Sequence, residues 1–173
     1  MSHVIAIPYK ALPSADLGNV TTTAKGFIDA NSKAIVLPLM PSGHLKNKLF
    51  QVKAWGRANA TVAVNFTASL YFGTSATVAD DTLMKSSDAT ALASIKHSWF
   101  MIADLSWDAT SNKIQGAVYF TIAEVITALA ATTVISSADP TDDTARGFII
   151  SGLFSTSSTG NAAFLDGFQI EVD

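Results

Sequence analysis

The chain has 173 residues, of which 49% are hydrophobic and 14% are charged; its net charge is −3 and it has no cysteine. Soluble domains ordinarily carry about 25% charged residues, so we expect surplus apolar surface to be buried in contacts between proteins. The acidic balance argues against direct nucleic-acid binding, which needs a basic face. The lack of cysteine excludes disulfides and thiolate metal sites, and the apolar runs are too short for a membrane-spanning helix.

The N-terminal residues 1–25 are the least patterned part of the chain, and we expect an arm or a first edge strand there. Residues 26–173 then form a single β-sandwich domain. The arm has no strand–turn–strand unit to pack on, so we expect it to contact a neighbouring subunit or another protein. Four apolar residues are the expected contacts: Val4, Ile5, Ile7 and Tyr9. The start of the chain has no basic region before an apolar stretch, which argues against a secretory signal peptide.

The next elements are strands. Ala34–Met40 is a plausible strand that Pro38 restricts to an edge or a bulge. Leu49–Arg57 and Thr61–Phe72 both alternate apolar and polar residues with a period of two, which is typical of half-buried strands. The short segment 58–60 between them predicts a hairpin.

Ser94–Trp107 predicts a long strand, because apolar residues occupy one register throughout. Phe100 and Ile102 are apolar in the opposite register, which predicts burial on both faces near the middle. Residues 108–112 have turn chemistry. The chain then returns as a strand over Lys113–Ile122, with Gly116 as a bulge or a point of close approach.

The segment Ala123–Ala131 has the composition of a short helix, and a strand or a loop fits it equally well. Arg146–Ser155 and Gly167–Val172 predict the last two strands. About eight to ten strands with at most one short helix predict an all-β fold. We expect a two-sheet antiparallel sandwich of the jelly-roll type.

Motifs for catalysis or cofactor binding do not stand out. His3, His44 and His97 are far apart in sequence, and a Gly-x-Ser-x-Gly elbow and a phosphate-binding glycine loop are both absent from the sequence. We therefore expect a protein that is not an enzyme and has no cofactor. Asp166 resembles the structural calcium position of jelly-roll carbohydrate-binding modules, although an aspartate before Gly167 is also typical of a turn.

Three aromatic residues, Trp55, Tyr71 and Phe100, fall on the more polar register of their strands. Aromatic side chains there could stack on sugars or anchor a subunit interface. The apolar excess of the chain favours the interface, and Arg57 belongs to the same expected contact set.

Four segments together resemble the small jelly-roll virion proteins of tailed bacteriophages: Phe50–Gly56, Asn65–Gly73, Trp107–Gly116 and Asn161–Val172. The similarity extends from about residue 35 to the C-terminus. It implies a capsid decoration or cement protein of the virion, a homo-oligomer (a trimer is the first expectation) that contacts other capsid or tail proteins, with no catalytic residues. The alternative is a carbohydrate-binding module, or a receptor-binding tail or fibre tip with an aromatic platform.

Overall fold

A computed structural model describes residues 3–4, 25–27, 48–60, 63–73, 78, 82–92, 96–108, 110, 113–123, 125–134, 147–156, 158 and 160–173. Within these ranges the chain forms eleven strands and no helix. The strands are β1 (His3–Val4), β2 (Lys25–Gly26), β3 (Leu49–Asn59), β4 (Val64–Gly73), β5 (Thr82–Ser86), β6 (Thr90–Leu92), β7 (Lys96–Asp108), β8 (Lys113–Ile122), β9 (Val125–Val134), β10 (Gly147–Phe154) and β11 (Ala162–Val172).

The strands form two sheets in which every pair is antiparallel. One sheet has six strands in the order β1-β11-β3-β7-β8-β9, and the other has the order β2-β10-β4-β5, with β6 also pairing β4. The chain changes sheet repeatedly, for example between β3 and β4 and between β10 and β11. This arrangement confirms the predicted all-β, two-sheet sandwich.

The core lies between the sheets because alternate residues of each long strand point inward. In β7 the inward register holds Trp99, Met101, Ala103, Leu105 and Trp107, and all five are buried. Opposite them, Phe72 of β4 packs 4.9 Å from Phe148, measured between ring centroids. The apolar alternation in the sequence therefore predicts the core correctly.

One contact in the core explains a glycine in β3. A Cβ at Gly56 would lie 1.9 Å from the carbonyl oxygen of Phe164 and 2.8 Å from the Trp99 ring. Trp99 also donates a hydrogen bond from Nε1 to that oxygen, at 3.2 Å. The indole ring thus lies against the strand where a side chain would stand, which fixes β3, β7 and β11 in register.

The predicted hairpin between Leu49–Arg57 and Thr61–Phe72 is wrong. β3 continues to Asn59 and pairs with β7 and β11, whereas β4 pairs with strands of the other sheet. Asn59 donates a hydrogen bond to the carbonyl oxygen of Gly160, at 3.2 Å, and Ala60 is buried. The short segment is therefore a crossing between the sheets, because alternation indicates which face a residue occupies and not which strand it pairs with.

Two further expectations are corrected or decided. Phe100 is 38% exposed and Ile102 is half-buried, so β7 is buried on one face and not on both. Val125–Val134 is a strand, β9, and the short helix does not form there. Ala123 has a φ of 50° just after β8 and donates its N–H to the Ser98 carbonyl oxygen, at 3.2 Å. A positive φ suits a tight hairpin turn and interrupts a helix.

The remaining predicted elements agree with the structure or lie outside the described residues, except that the last strand begins at Ala162 and not at Gly167. The turn after β7 forms, and the Thr110 N–H donates to the Asp108 carboxylate, at 2.9 Å. Gly116 has a φ of 154°, and a Cβ there would lie 1.9 Å from the Asp104 carbonyl oxygen, so the close approach is confirmed. Ala34–Met40 lies outside the described residues.

Candidate functional site

The outer face of the six-stranded sheet presents aromatic side chains at its centre. Trp55 of β3 and Phe100 of β7 are directly opposite each other, and Ile102 of β7 is opposite Tyr119 of β8. Phe100 and Tyr119 are 38% and 43% exposed, and Trp55 and Ile102 are half-buried. We name these four residues the aromatic band. Cross-strand neighbours on one face lie within about 5.5 Å, so the band is continuous.

The Trp55 ring occupies the space beside a neighbouring residue that has no side chain. Gly167 of β11 pairs with Trp55, and a Cβ on it would lie 2.4 Å from Cζ2 of the indole ring. The pairing register also shifts between Leu165 and Gly167, which marks a bulge in β11. The indole ring therefore packs against Gly167 at the bulge in β11.

Arg57 and Asp166 close one end of the aromatic band. Arg57 donates from Nε and Nη2 to the two Asp166 carboxylate oxygens, at 2.7 and 2.6 Å. The guanidinium also lies over the Phe164 ring, 5.1 Å from its centroid. These hydrogen bonds, and then the charge of Asp166, raise the pKa of Arg57 above its ordinary value, although partial burial opposes the shift.

This arrangement corrects both interpretations of Asp166. The residue lies inside β11, which begins at Ala162, so it does not form a turn before the last strand. Its two oxygens are held by one guanidinium, whereas calcium needs six to eight oxygen ligands. No group of three or more metal-ligating residues occurs in the part of the chain that the structure describes.

Charged and amide side chains cover the other end of the face. Lys53 forms an ion pair with Glu171 at 3.2 Å, and Gln169 donates a hydrogen bond to the same carboxylate. One row further, Gln51 donates to Asp104. These five residues, the polar ladder, lie on β11, β3 and β7 and tie the three strands together across the surface.

A groove lies beside the polar ladder, with a cavity volume of about 490 Å³. Its side walls hold carboxylates and amides from four strands, and Leu49, which is 64% exposed, lies at one end. The polar lining residues are Gln51, Asp104, Ser106, Gln115, Glu171 and Asp173. Gly116 also lines the groove. Such a lining can accept hydrogen bonds from a cationic group, and it can both donate to and accept from a polyhydroxylated one.

A second cavity, of about 450 Å³, lies next to Phe100 at the end of the aromatic band away from the groove, where Ser98 is opposite Arg57. Lys96, His97 and Ser98 line it, and Nε2 of His97 is buried with no hydrogen-bond partner among the described residues. His97 follows the inward register of Trp99, which agrees with a packing role. The aromatic band therefore lies between the groove and this second cavity.

The other expected contact residues are dispersed. Tyr71 lies on β4 in the five-stranded sheet, paired with Ile149 and Leu83, so it cannot join Trp55 and Phe100 in one platform. Val4 is part of β1 and pairs with Glu171 of its own chain. Three residues lie outside the described ranges: Ile5, Ile7 and Tyr9.

Sequence reasoning missed Tyr119 and the partners of the polar ladder. The alternation that places Val118 and Phe120 inward also places Tyr119 outward, so the signal for this residue was present in the sequence. The ladder could not be found in that way, since Glu171 and Lys53 are 118 residues apart and only the pairing of β11 with β3 brings them together.

Comparisons with known proteins give little further information. No protein family and no curated protein matches the chain. Among solved structures, the chain is similar to arcelin-5, a lectin-like defence protein from Phaseolus vulgaris, with 9% sequence identity and a TM-score of 0.42. The alignment covers 99% of this chain and 98% of that chain. A likeness at this level assigns no function.

Within the described ranges, no helix has the length and apolar character needed to cross a membrane.

Proposed function

We propose that this chain is a non-enzymatic structural protein of a virion, a capsid decoration or cement protein that self-associates and binds the shell. The observation that carries the proposal is the aromatic band, which is apolar at its centre and bordered by ion-paired side chains. Protein-binding patches have this composition, with an apolar core and a polar rim. The resemblance of the sequence to small phage virion proteins supplies the kind of partner.

The electrostatics of the band suit a protein partner better than a nucleic acid. Lys53 and Arg57 flank the band on β3 and each is already paired with a carboxylate, so among the described residues the remaining basic residue beside it is Lys96 in the adjoining cavity, a single lysine. Phosphate backbones need unpaired positive charge, so the proposed partners are other capsid or tail proteins, with no direct nucleic acid and no membrane. The proposed location is the virion, after synthesis in the host cytoplasm.

The first test asks whether the chain binds particles through the band. Phage particles from the producing culture, stripped of the protein, are sedimented with the purified chain and with the double variant Phe100→Ser/Tyr119→Ser. We expect the wild-type chain to sediment with the particles and the variant to bind at least tenfold more weakly, because interface anchors are large buried aromatics.

The matched control is Leu83→Ser, which removes another exposed apolar side chain, 46% exposed, from the opposite sheet. We expect it to bind like the wild-type chain. If the chain is absent from particles recovered directly from the culture, and stripped particles do not bind it, the virion proposal is wrong.

A carbohydrate-binding module is the second candidate, and the groove of about 490 Å³ favours it. Amide and carboxylate side chains next to aromatic rings are the combination that binds sugars. This function is favoured if glycan-array binding is lost in Trp55→Ala and in Gln115→Ala but retained in Leu83→Ala. The molecular mass in solution should be the same for all three variants and the wild-type chain. An array without any reproducible ligand would count against it.

A further inference from the structure

The two sheets end in very different edge strands. Among the described residues, the end strands are β2 and β5 in the five-stranded sheet and β1 and β9 in the six-stranded sheet, and the comparison of β5 with β9 is the informative one. β5 has five residues and carries Lys85, whereas β9 has ten residues, Val-Ile-Thr-Ala-Leu-Ala-Ala-Thr-Thr-Val, without a charge, a proline or a glycine. Short length and lysine are the features by which natural sheets protect their edges. β5 has both, and β9 has neither.

An unprotected edge has a definite binding chemistry. β9 pairs with β8 along its whole length, from Val125 opposite Ile122 to Val134 opposite Lys113. In an antiparallel ladder the backbone groups of alternate residues point to opposite sides, so about half of the β9 N–H and C=O groups point away from β8. In the described part of the chain no further strand pairs with β9, although β5 of the other sheet approaches it. The natural occupant of such an edge is another β-strand.

We propose that a second copy of this chain occupies the edge, with its own β9 added antiparallel to form a two-fold dimer. This inference rests on the self-association in the proposed function and specifies where it takes place. The strand suits its own copy because antiparallel pairing of an uncharged sequence brings no like charges together. With the axis at Leu129, Val125 faces Thr133 and Thr127 faces Ala131, because residues that pair across such an axis must lie on the same face of the sheet.

The dimer has a consequence for binding to a shell. A two-fold axis perpendicular to the joined sheets makes one sheet of twelve strands, and both outer faces lie on the same side. The two copies of Tyr119 on β8 are then three strand spacings apart across the joined sheet, about 14 Å in that direction. Two aromatic bands side by side could contact one partner surface at the same time, which strengthens binding without new kinds of contact.

The direct test uses the absence of cysteine from the chain, so that a single introduced thiol reports on one position. Cysteine is introduced separately at residues 128, 129, 130 and 131 of β9, and at Leu83 on the edge strand β5 as a control. We expect at least one β9 variant to form a disulfide-linked dimer under mild oxidation, because an antiparallel pair brings opposite Cα atoms to about 4.5–5.5 Å. We expect the Leu83→Cys control to stay uncrosslinked.

A second test weakens the edge without a covalent probe. The double variant Ala128→Lys/Ala130→Lys adds the lysines that natural edges use, at positions opposite Tyr119, which is exposed, and Ala117, which is half-buried. We expect at least a tenfold rise in the dimer dissociation constant, measured by light scattering across a dilution series. A circular dichroism spectrum and a melting curve establish that the variant is folded, and Leu83→Lys is the matched control.

The outcomes separate this inference from the proposed function. If the wild-type chain is a monomer at all concentrations, the self-association itself is wrong. If it is an oligomer whose mass is unchanged by the lysines and none of the β9 cysteines crosslinks, only the edge assignment is wrong. A trimer also overturns the two-fold arrangement.

Discussion

The two outer faces of the sandwich differ although both belong to antiparallel sheets of the same chain. On the six-stranded sheet, long charged and amide side chains surround exposed aromatics, as in the Arg57–Asp166 and Lys53–Glu171 pairs. On the five-stranded sheet, the outward positions of β4 and β10 include Ser69, Ser151 and Ile149, all buried. The first face therefore presents aromatic surface among ion-paired side chains, whereas the second is buried at these central positions and exposes Leu83 on its edge strand β5.

This difference shows where the apolar residues of a chain with so few charges are located. Four large hydrophobic residues are exposed within the described ranges: Leu49, Leu83, Phe100 and Tyr119. Much of the surplus apolarity of the sequence is therefore in the core between the sheets. Two of the four, Phe100 and Tyr119, lie in the aromatic band, where we expect contacts with other proteins.

The largest expected effect separates inward from outward aromatics. Phe72 is fully buried and its ring lies 4.9 Å from Phe148 and 6.1 Å from Trp107. Phe72→Ala should lower the free energy of unfolding by about 3–5 kcal/mol, through lost transfer energy and a cavity. Phe100→Ala should cost less than about 1 kcal/mol. Urea denaturation at matched protein concentration measures both values, and equal losses would show that Phe100 is part of the core.

The next effect tests the contact between the Trp55 ring and Gly167. Gly167→Ala places a Cβ where the indole ring lies, so the ring must move, at a cost of about 1–3 kcal/mol. Trp99 and Trp107 are each only 1% exposed, so acrylamide quenching reports mainly on Trp55, and we expect quenching to increase. In a Trp55→Ala background the same glycine substitution should cost much less, since the clash is gone. An equal cost in both backgrounds would mean that the glycine is needed for the β11 bulge itself.

The sequence predicted the faces of the strands well and their partners poorly. The period-two pattern identified the inward residues of β7 and β8, because burial repeats along a strand and is visible locally. It placed β3 and β4 in one hairpin, because a short connection fits a hairpin as well as a crossing between sheets. It could not reveal the Arg57–Asp166 pair, which exists only because β11 returns beside β3 after 109 residues.

The site was therefore predictable in part. Trp55, Arg57 and Phe100 lie together on one outer face, as their places on the more polar register predicted, and their role in binding stays a prediction. Tyr71 was grouped with them although it lies on the other sheet, since a register shows inward or outward but not which of two outer faces. The residues of the groove come from four strands, and their meeting point depends on the pairing order.

A smaller effect concerns the two ion pairs of the outer face. Asp166→Asn should lower stability by up to about 1 kcal/mol, because the Arg57 side chain is 44% exposed and water screens the pair. A double-mutant cycle with Arg57→Met isolates the coupling, which should shrink in high salt. The Lys53–Glu171 pair, with a single contact at 3.2 Å, should give a smaller coupling than the two-contact Arg57 pair. The reverse order would contradict the geometry.

The smallest effects come from the buried serines of the other face, and they should differ in sign. The hydroxyls of Ser69 and Ser86 share a hydrogen bond at 2.8 Å, so Ser69→Ala should cost up to about 1 kcal/mol. The Ser151 hydroxyl is buried and makes no hydrogen bond with the described residues. Ser151→Ala removes that uncompensated polar atom with little change of shape, so it should be neutral or stabilise by up to about 1 kcal/mol. Paired urea titrations resolve the two values. A loss of more than about 1 kcal/mol in Ser151→Ala would show that this hydroxyl has a hydrogen-bond partner, and that this face is held together by more than apolar packing.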